Sequence, residues 1–214
     1  MKNNEKRNLT EQEKKRKAVF EKVCKEKQKE GYKKTDLTLS ATEANIKGVL
    51  YAAIFSIPFI AIFFWLNKDI GERPESLYLM LFGLMLILAI IVHEGIHGFF
   101  WGLFAKKHWK SISFGVIWES FNPYCTCNEP LSKTSYIIGS MMPGVILGVI
   151  PSIISIVTGN FTLLLFGVLS ILGAGGDLLV IILLSKHKSN ETTIFLDHPT
   201  AIGLVCFEKT KKKK

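Results

Sequence analysis

Charge is missing from four long stretches of this chain. Residues 48–66 and 136–158 contain no Asp, Glu, Lys or Arg, and residues 77–104 and 161–185 contain one acid each, Glu94 and Asp177. A chain with 27 Lys and Arg and a positive mean hydropathy must keep its polar and apolar residues in separate blocks, which excludes an ordinary water-soluble globule. Cysteine is scarce too. The four thiols, Cys24, Cys125, Cys127 and Cys206, all lie outside the apolar stretches. They fall in the segments that the Lys and Arg distribution assigns to the cytoplasm, where thiols stay reduced, so no disulfides are expected, and Cys125-Thr126-Cys127 is too tight for a paired C-x-x-C zinc knuckle; alternation on a strand edge accounts for it. No small-residue cleavage site follows the first apolar run, which begins far from the N-terminus, so a retained span is expected rather than a signal peptide. Internal repeats are also lacking, which disfavours a four-span transporter using His and Asp as an ion relay.

The apolar stretches are each about 19–28 residues, enough to cross a hydrocarbon core of about 30 Å. The expected fold is therefore an all-α membrane protein with four transmembrane helices at about 48–66, 77–104, 136–158 and 161–185. A basic segment, residues 1–47, precedes this core of residues 48–185, and a basic tail, residues 186–214, follows it. Lys and Arg fix the orientation, because short basic loops stay in the cytoplasm. Residues 1–47 hold 14 of them, 105–135 hold 4 and 186–214 hold 7, so 25 of the 27 share one side. Both termini are expected in the cytoplasm. The net charge of +9 reflects this asymmetry; the expected partner is the anionic lipid surface, and no nucleic acid is needed to explain it.

Thr10-Glu11-Gln12-Glu13 has the pattern of a capping box and predicts a charged helix running to about Gly31. Its apolar stripe, Val19, Phe20 and Val23, is narrow, so a solvated surface helix is expected. Between the second and third spans, Ser111-Ile112-Ser113-Phe114-Gly115-Val116 alternates, and Asn122-Pro123 supplies a turn signal before Tyr124. These residues predict a short cytoplasmic-side β-hairpin that could pair with an extended peptide; an amphipathic interfacial loop is the alternative. Gly144 and Gly148 suit close helix packing, and Gly173-Ala174-Gly175-Gly176 sets a thin backbone beside Asp177.

The second apolar stretch contains His93-Glu94-Gly95-Ile96-His97. Positions i and i+4 of a helix lie about 40° apart around its axis, so both imidazoles can reach one cation with Glu94 beside it. Two imidazole ligands and a carboxylate base are the signature of a zinc hydrolase. Buried ionisable groups at a span centre cost about 2.5–3.5 kcal/mol each on insertion scales, and those that persist usually mark function.

Catalytic zinc usually has three protein ligands. His108, Glu119, Glu129, His187, Asp197 and His198 are candidates outside the spans, but depth favours Asp177. Counted inward from the cytoplasmic ends at about 1.5 Å per residue, His97 lies about 10 Å, His93 about 16 Å and Asp177 about 12 Å deep. The metal ligands expected are thus His93, His97 and Asp177. Glu94 is the expected general base, taking a proton from a water activated by Zn2+ and returning it to the leaving amine.

His93-Glu94-x-x-His97 in one span and an Asp in a later glycine-rich span resemble the site-2 protease class of intramembrane zinc metalloproteases. Adding Pro143, Gly176-Asp177 and Asp197-His198-Pro199-Thr200, the chain is similar over most of residues 35–208 to a bacterial family of small zincin-type membrane peptidases. Site-2 proteases usually follow their Asp with Gly, whereas Leu178 follows Asp177 here. The resemblance implies a membrane-embedded metallopeptidase acting on a membrane protein or peptide. The alternative is a non-catalytic zinc-binding membrane anchor or regulatory protein, but a structural zinc has no need of Glu94 beside its ligand.

Overall fold

The computed structural model describes residues 10–68, 76–117 and 122–209. Glu119, the tip of the expected hairpin and most of the loop between the first two apolar stretches lie outside them.

Helix α1 (Glu11–Lys29) begins at the capping box: the Glu13 N–H donates to Thr10 Oγ1 at 3.2 Å and the Thr10 N–H donates to Glu13 Oε2 at 2.9 Å. This helix is not merely solvated. Its Phe20, Val23 and Cys24 pack on Leu196, Val205 and Phe207 of a sheet that the charge pattern of the flanking segments concealed.

That sheet has four antiparallel strands in the order β1, β6, β5, β4, where β1 is Tyr32–Leu39, β4 Leu131–Ser132, β5 Ile194–Asp197 and β6 Ile202–Lys209. The fold is mostly helical but not all-α. Tyr32 pairs with Lys209 and Leu39 with Ile202, so the segments before and after the apolar core are stitched together. The period of two along β6 divides its side chains. Val205 and Phe207 face α1, whereas Leu204 and Cys206 join a core with Trp101, Tyr136, Leu184 and Phe195.

Helix α2 (Ala41–Leu66) is capped by Ser40, whose hydroxyl accepts the Glu43 N–H. Helix α3 (Ser76–Phe104) carries the His-Glu-x-x-His sequence. Strands β2 (Ile112–Ile117) and β3 (Asn122–Cys127) follow it as an antiparallel pair in which Phe114 faces Cys125. This pair lies on α3 because Gly98 leaves a flat spot: a Cβ there would overlap Phe114 and crowd Ile112.

The third apolar stretch runs through α4 (Lys133–Pro143), a π-helical turn at Gly144–Val149 and α5 (Ile150–Thr158). Pro151 has no N–H to return to the preceding turn, and the local widening is where such a break is absorbed. The Ser152 hydroxyl donates to the Gly148 carbonyl at 2.8 Å, and Gly148 packs on Ile171 and Gly167 of the next helix. The fourth stretch is not one straight helix. Helices α6 (Phe161–Gly173) and α7 (Gly175–Lys186) meet at Ala174 with a bend of 52°. Three glycines flank the break, where helix propensity is poorest.

Three helices are long and apolar enough to cross a membrane, at Thr42–Leu66, Met80–Phe104 and Lys133–Thr158, and a fourth span results if the bent pair counts as one. Large apolar side chains such as Ile54, Ile57, Leu84, Leu88 and Ile91 are exposed around α2 and α3. Such a surface suits lipid, not water, and is consistent with a multi-pass membrane protein.

Candidate active site

The bend at Ala174 turns the start of α7 into the interior and sets Asp177 in its first turn, where the helix dipole favours a negative group. The crossing of α7 over α2 is unusually close. A Cβ on Gly175 would lie 2.6 Å from the Gly48 carbonyl oxygen, and a Cβ on Gly48 would lie 2.9 Å from that of Gly175. Only a glycine pair permits this approach, and it fixes the residue two positions further on.

Opposite Asp177, His93 and His97 project from one face of α3. The His93 Nε2 lies 3.1 Å from Asp177 Oδ2, the His97 Nε2 lies 3.2 Å from Asp177 Oδ1, and the two Nε2 atoms are 3.2 Å apart. The structure thus brings together the three side chains that spacing and depth had singled out. His97 is buried, while the His93 and Asp177 side chains retain 16% and 24% exposure, leaving an approach from one side.

The second nitrogen of His97 determines what the cluster can hold. Its Nδ1 is 2.8 Å from the Gly139 carbonyl oxygen, which can only accept, so Nδ1 carries a proton and Nε2 is the nitrogen turned to the cluster, the one able to offer a lone pair to a cation. A lone pair facing a carboxylate oxygen 3.2 Å away is repulsive unless a proton or metal cation stands between them. Tetrahedral bonds of about 2.0–2.2 Å to zinc set donor atoms about 3.3–3.6 Å apart, close to the 3.1–3.2 Å found here, so this donor set fits the metal.

His97 also stacks on Trp101, with ring centroids 4.9 Å apart and planes 14° from parallel. The Trp101 indole N–H donates to the Tyr136 carbonyl oxygen at 3.2 Å, and Gly139 leaves the room the indole occupies. Sequence reasoning missed both partners. Trp101 had a signal, since it follows His97 by four residues; the Gly139 carbonyl had none, since every residue has one.

Glu94 borders the same cavity of about 340 Å³, with its carboxylate near the backbone N–H of Cys125 on β3. A second cavity of about 440 Å³, lined mostly by apolar side chains such as Leu86, Ile90, Leu147 and Leu169, reaches His93 and Glu94 from the other side. Gly95, Gly173 and Gly176 would each admit a Cβ without contact, whereas Gly98 is a packing position.

Other candidates for the third ligand have different surroundings. Asp197 lines the same 340 Å³ cavity as the cluster, but it accepts the Tyr136 hydroxyl and, at 2.9 Å, the Cys127 N–H. Burial raises its pKa above the ordinary carboxyl value, against the opposing pull of these bonds and of Arg16. His198 Nδ1 accepts the Ala201 N–H at 2.8 Å, and Arg16 donates to the carbonyls of His198 and Pro199 while lying 4.6 Å over the Tyr124 ring. His108 Nδ1 is bonded to the Gly102 carbonyl, Glu129 accepts the Lys107 N–H, and His187 stands beside Cys206.

No curated protein and no solved structure matches the chain. Residues 86–192 match the family model described as "Putative zincin peptidase", a name that implies a zinc-dependent peptidase. The matched region is half of the chain and holds His93, Glu94, His97 and Asp177, and the chain belongs to that family.

Proposed function

We propose that this protein is a membrane-embedded zinc peptidase in which His93, His97 and Asp177 hold the metal and Glu94 moves the proton. The observation that carries the proposal is the convergence of the two Nε2 atoms and the Asp177 carboxylate, 3.1–3.2 Å from one another on two helices. Zinc held there would supply Lewis acidity, to acidify the attacking water and to polarise a scissile carbonyl.

The chain's own residues do the remainder. Glu94 accepts the proton of the attacking water and delivers it to the leaving amine. The Cys125 N–H steadies the Glu94 carboxylate, and the Gly139 carbonyl holds the His97 ring in the ligating tautomer. Water reaches the centre through the cavity bordered by Asp197 and Asp177, and the apolar cavity beside Leu86 and Leu169 suits an aliphatic side chain of a membrane peptide. Strand β3 bears one hydrogen-bonded partner strand, and its other flank borders the cavity, an arrangement that suits addition of an extended substrate.

The position of the strands supports four spans, with α6 and α7 as one broken span. All six lie beside the start of α2, the end of α3, the start of α4 or the end of α7, which share one side only if the bent pair crosses once. That side holds 25 of the 27 Lys and Arg and is the cytoplasm, with anionic headgroups as its lipid partner.

The test is the Glu94→Gln variant purified in detergent and assayed on a model transmembrane peptide. It should retain zinc and lose cleavage by about 10²–10⁴-fold, the usual contribution of a general base. Unchanged turnover would refute the role of Glu94, and no cleavage by the zinc-loaded wild type on any membrane peptide would favour a non-catalytic zinc protein.

A further inference from the structure

We infer a second metal site, formed by His187, Cys206 and Glu208, separate from the peptidase centre. The His187 Nε2 lies 3.3 Å from Cys206 Sγ and 3.3 Å from Glu208 Oε1, and the three donor atoms fall within 4.8 Å of one another. A single Nε2–H cannot point at both a thiol and a carboxylate at that distance. A cation at their focus satisfies all three. Tetrahedral bonds to zinc of about 2.0–2.3 Å would set N···S about 3.5 Å and N···O about 3.4 Å apart, close to the spacings present.

The site is built by rigid elements. Cys206 and Glu208 are two residues apart on β6 and therefore share a face, and pairing of Cys206 with Thr35 on one side and Phe195 on the other locks their register. His187 caps the end of α7, where its N–H donates to the Leu183 carbonyl at 3.1 Å and its own carbonyl accepts from Lys133 Nζ at 2.9 Å. Phe195 meets its ring edge-on. Cys206 is wholly buried, whereas the His187 and Glu208 side chains are 20% and 36% exposed, so a cation can enter from solvent and keep a water as fourth ligand.

One thiolate, one imidazole and one carboxylate select zinc or cobalt over calcium or magnesium, which take oxygen ligands. Bound there, the ion ties the end of α7 to β6. Asp177 lies at the opposite end of the same helix, so the role is that of a structural clamp.

Cobalt titration of the full-length, metal-stripped protein in detergent tests this. A thiolate bound to Co2+ gives a near-ultraviolet charge-transfer band, and the centre of His93, His97 and Asp177 offers no sulfur. The band should appear in the wild type, in Asp177→Ala and in Cys125→Ser, and vanish in Cys206→Ser. Glu208→Gln, a surface change that leaves the core intact, should weaken Co2+ binding at this site about 10-fold or more. Absence of the band from the wild type, its survival in Cys206→Ser, or full affinity in Glu208→Gln would overturn the assignment.

Discussion

His97 donates its Nδ1–H to the Gly139 carbonyl oxygen at 2.8 Å, and that bond turns Nε2 toward Asp177. A residue with no side chain thus orients a histidine 42 positions earlier, by its carbonyl and by the space it leaves for Trp101.

Gly139→Ala should therefore injure the centre twice. The new Cβ would overlap the Trp101 indole, which cannot move without losing its bond to Tyr136 and its stacking on His97. We expect a loss of about 1–3 kcal/mol in stability, as for overpacking elsewhere, and weaker metal binding. Gly173→Ala, where a Cβ meets nothing within 4 Å, should cost far less. Thermal unfolding of both variants in detergent checks the contrast; equal losses would contradict it.

The contact between Gly48 and Gly175 makes a prediction at longer range. Gly175→Val would push α7 away from α2 and carry Asp177 with it. Displacement by about 1 Å can cost about 10²-fold in rate, so peptidase activity should fall by that order while the helical circular dichroism is retained. Activity within twofold of wild type would show that this crossing does not position Asp177.

Asp197 gives a pH dependence whose sign can be worked out. Burial raises its folded-state pKa above the unfolded value of about 3.9. A group raised in this way contributes stability that is complete below the unfolded pKa and is lost as pH rises through the folded one. Asp197→Asn cannot titrate, so the unfolding temperature of the wild type minus that of Asp197→Asn should decrease as pH is raised from about 4 to 7. A difference that grows with pH would contradict the burial account.

Much of this architecture is legible in the sequence because its signals are local. Apolar runs of membrane length mark α2, α3 and the α4–α5 unit, and the i, i+4 histidines share a helix face wherever the helix goes. Depth along the spans singled out Asp177, whose carboxylate lies beside both imidazoles. The four-stranded sheet is hidden because it depends on pairing between the two ends of the chain. Along β1, Lys33, Lys34 and Asp36 are exposed and dominate the pattern, and the partners that make the segment a strand begin only at Ile202. The break at Ala174 had a trace in its glycines, but the Gly48–Gly175 contact that accompanies the 52° bend is tertiary.

Zinc affinity measured in a Cys206→Ser background, where only the centre of His93, His97 and Asp177 can bind, tests the central claim most directly. Removing a ligand should cost more than the 10–100-fold typical of an outer-shell partner, so Asp177→Ala should bind zinc at least about 10²-fold more weakly than its parent. Unchanged zinc affinity in Asp177→Ala would contradict the account.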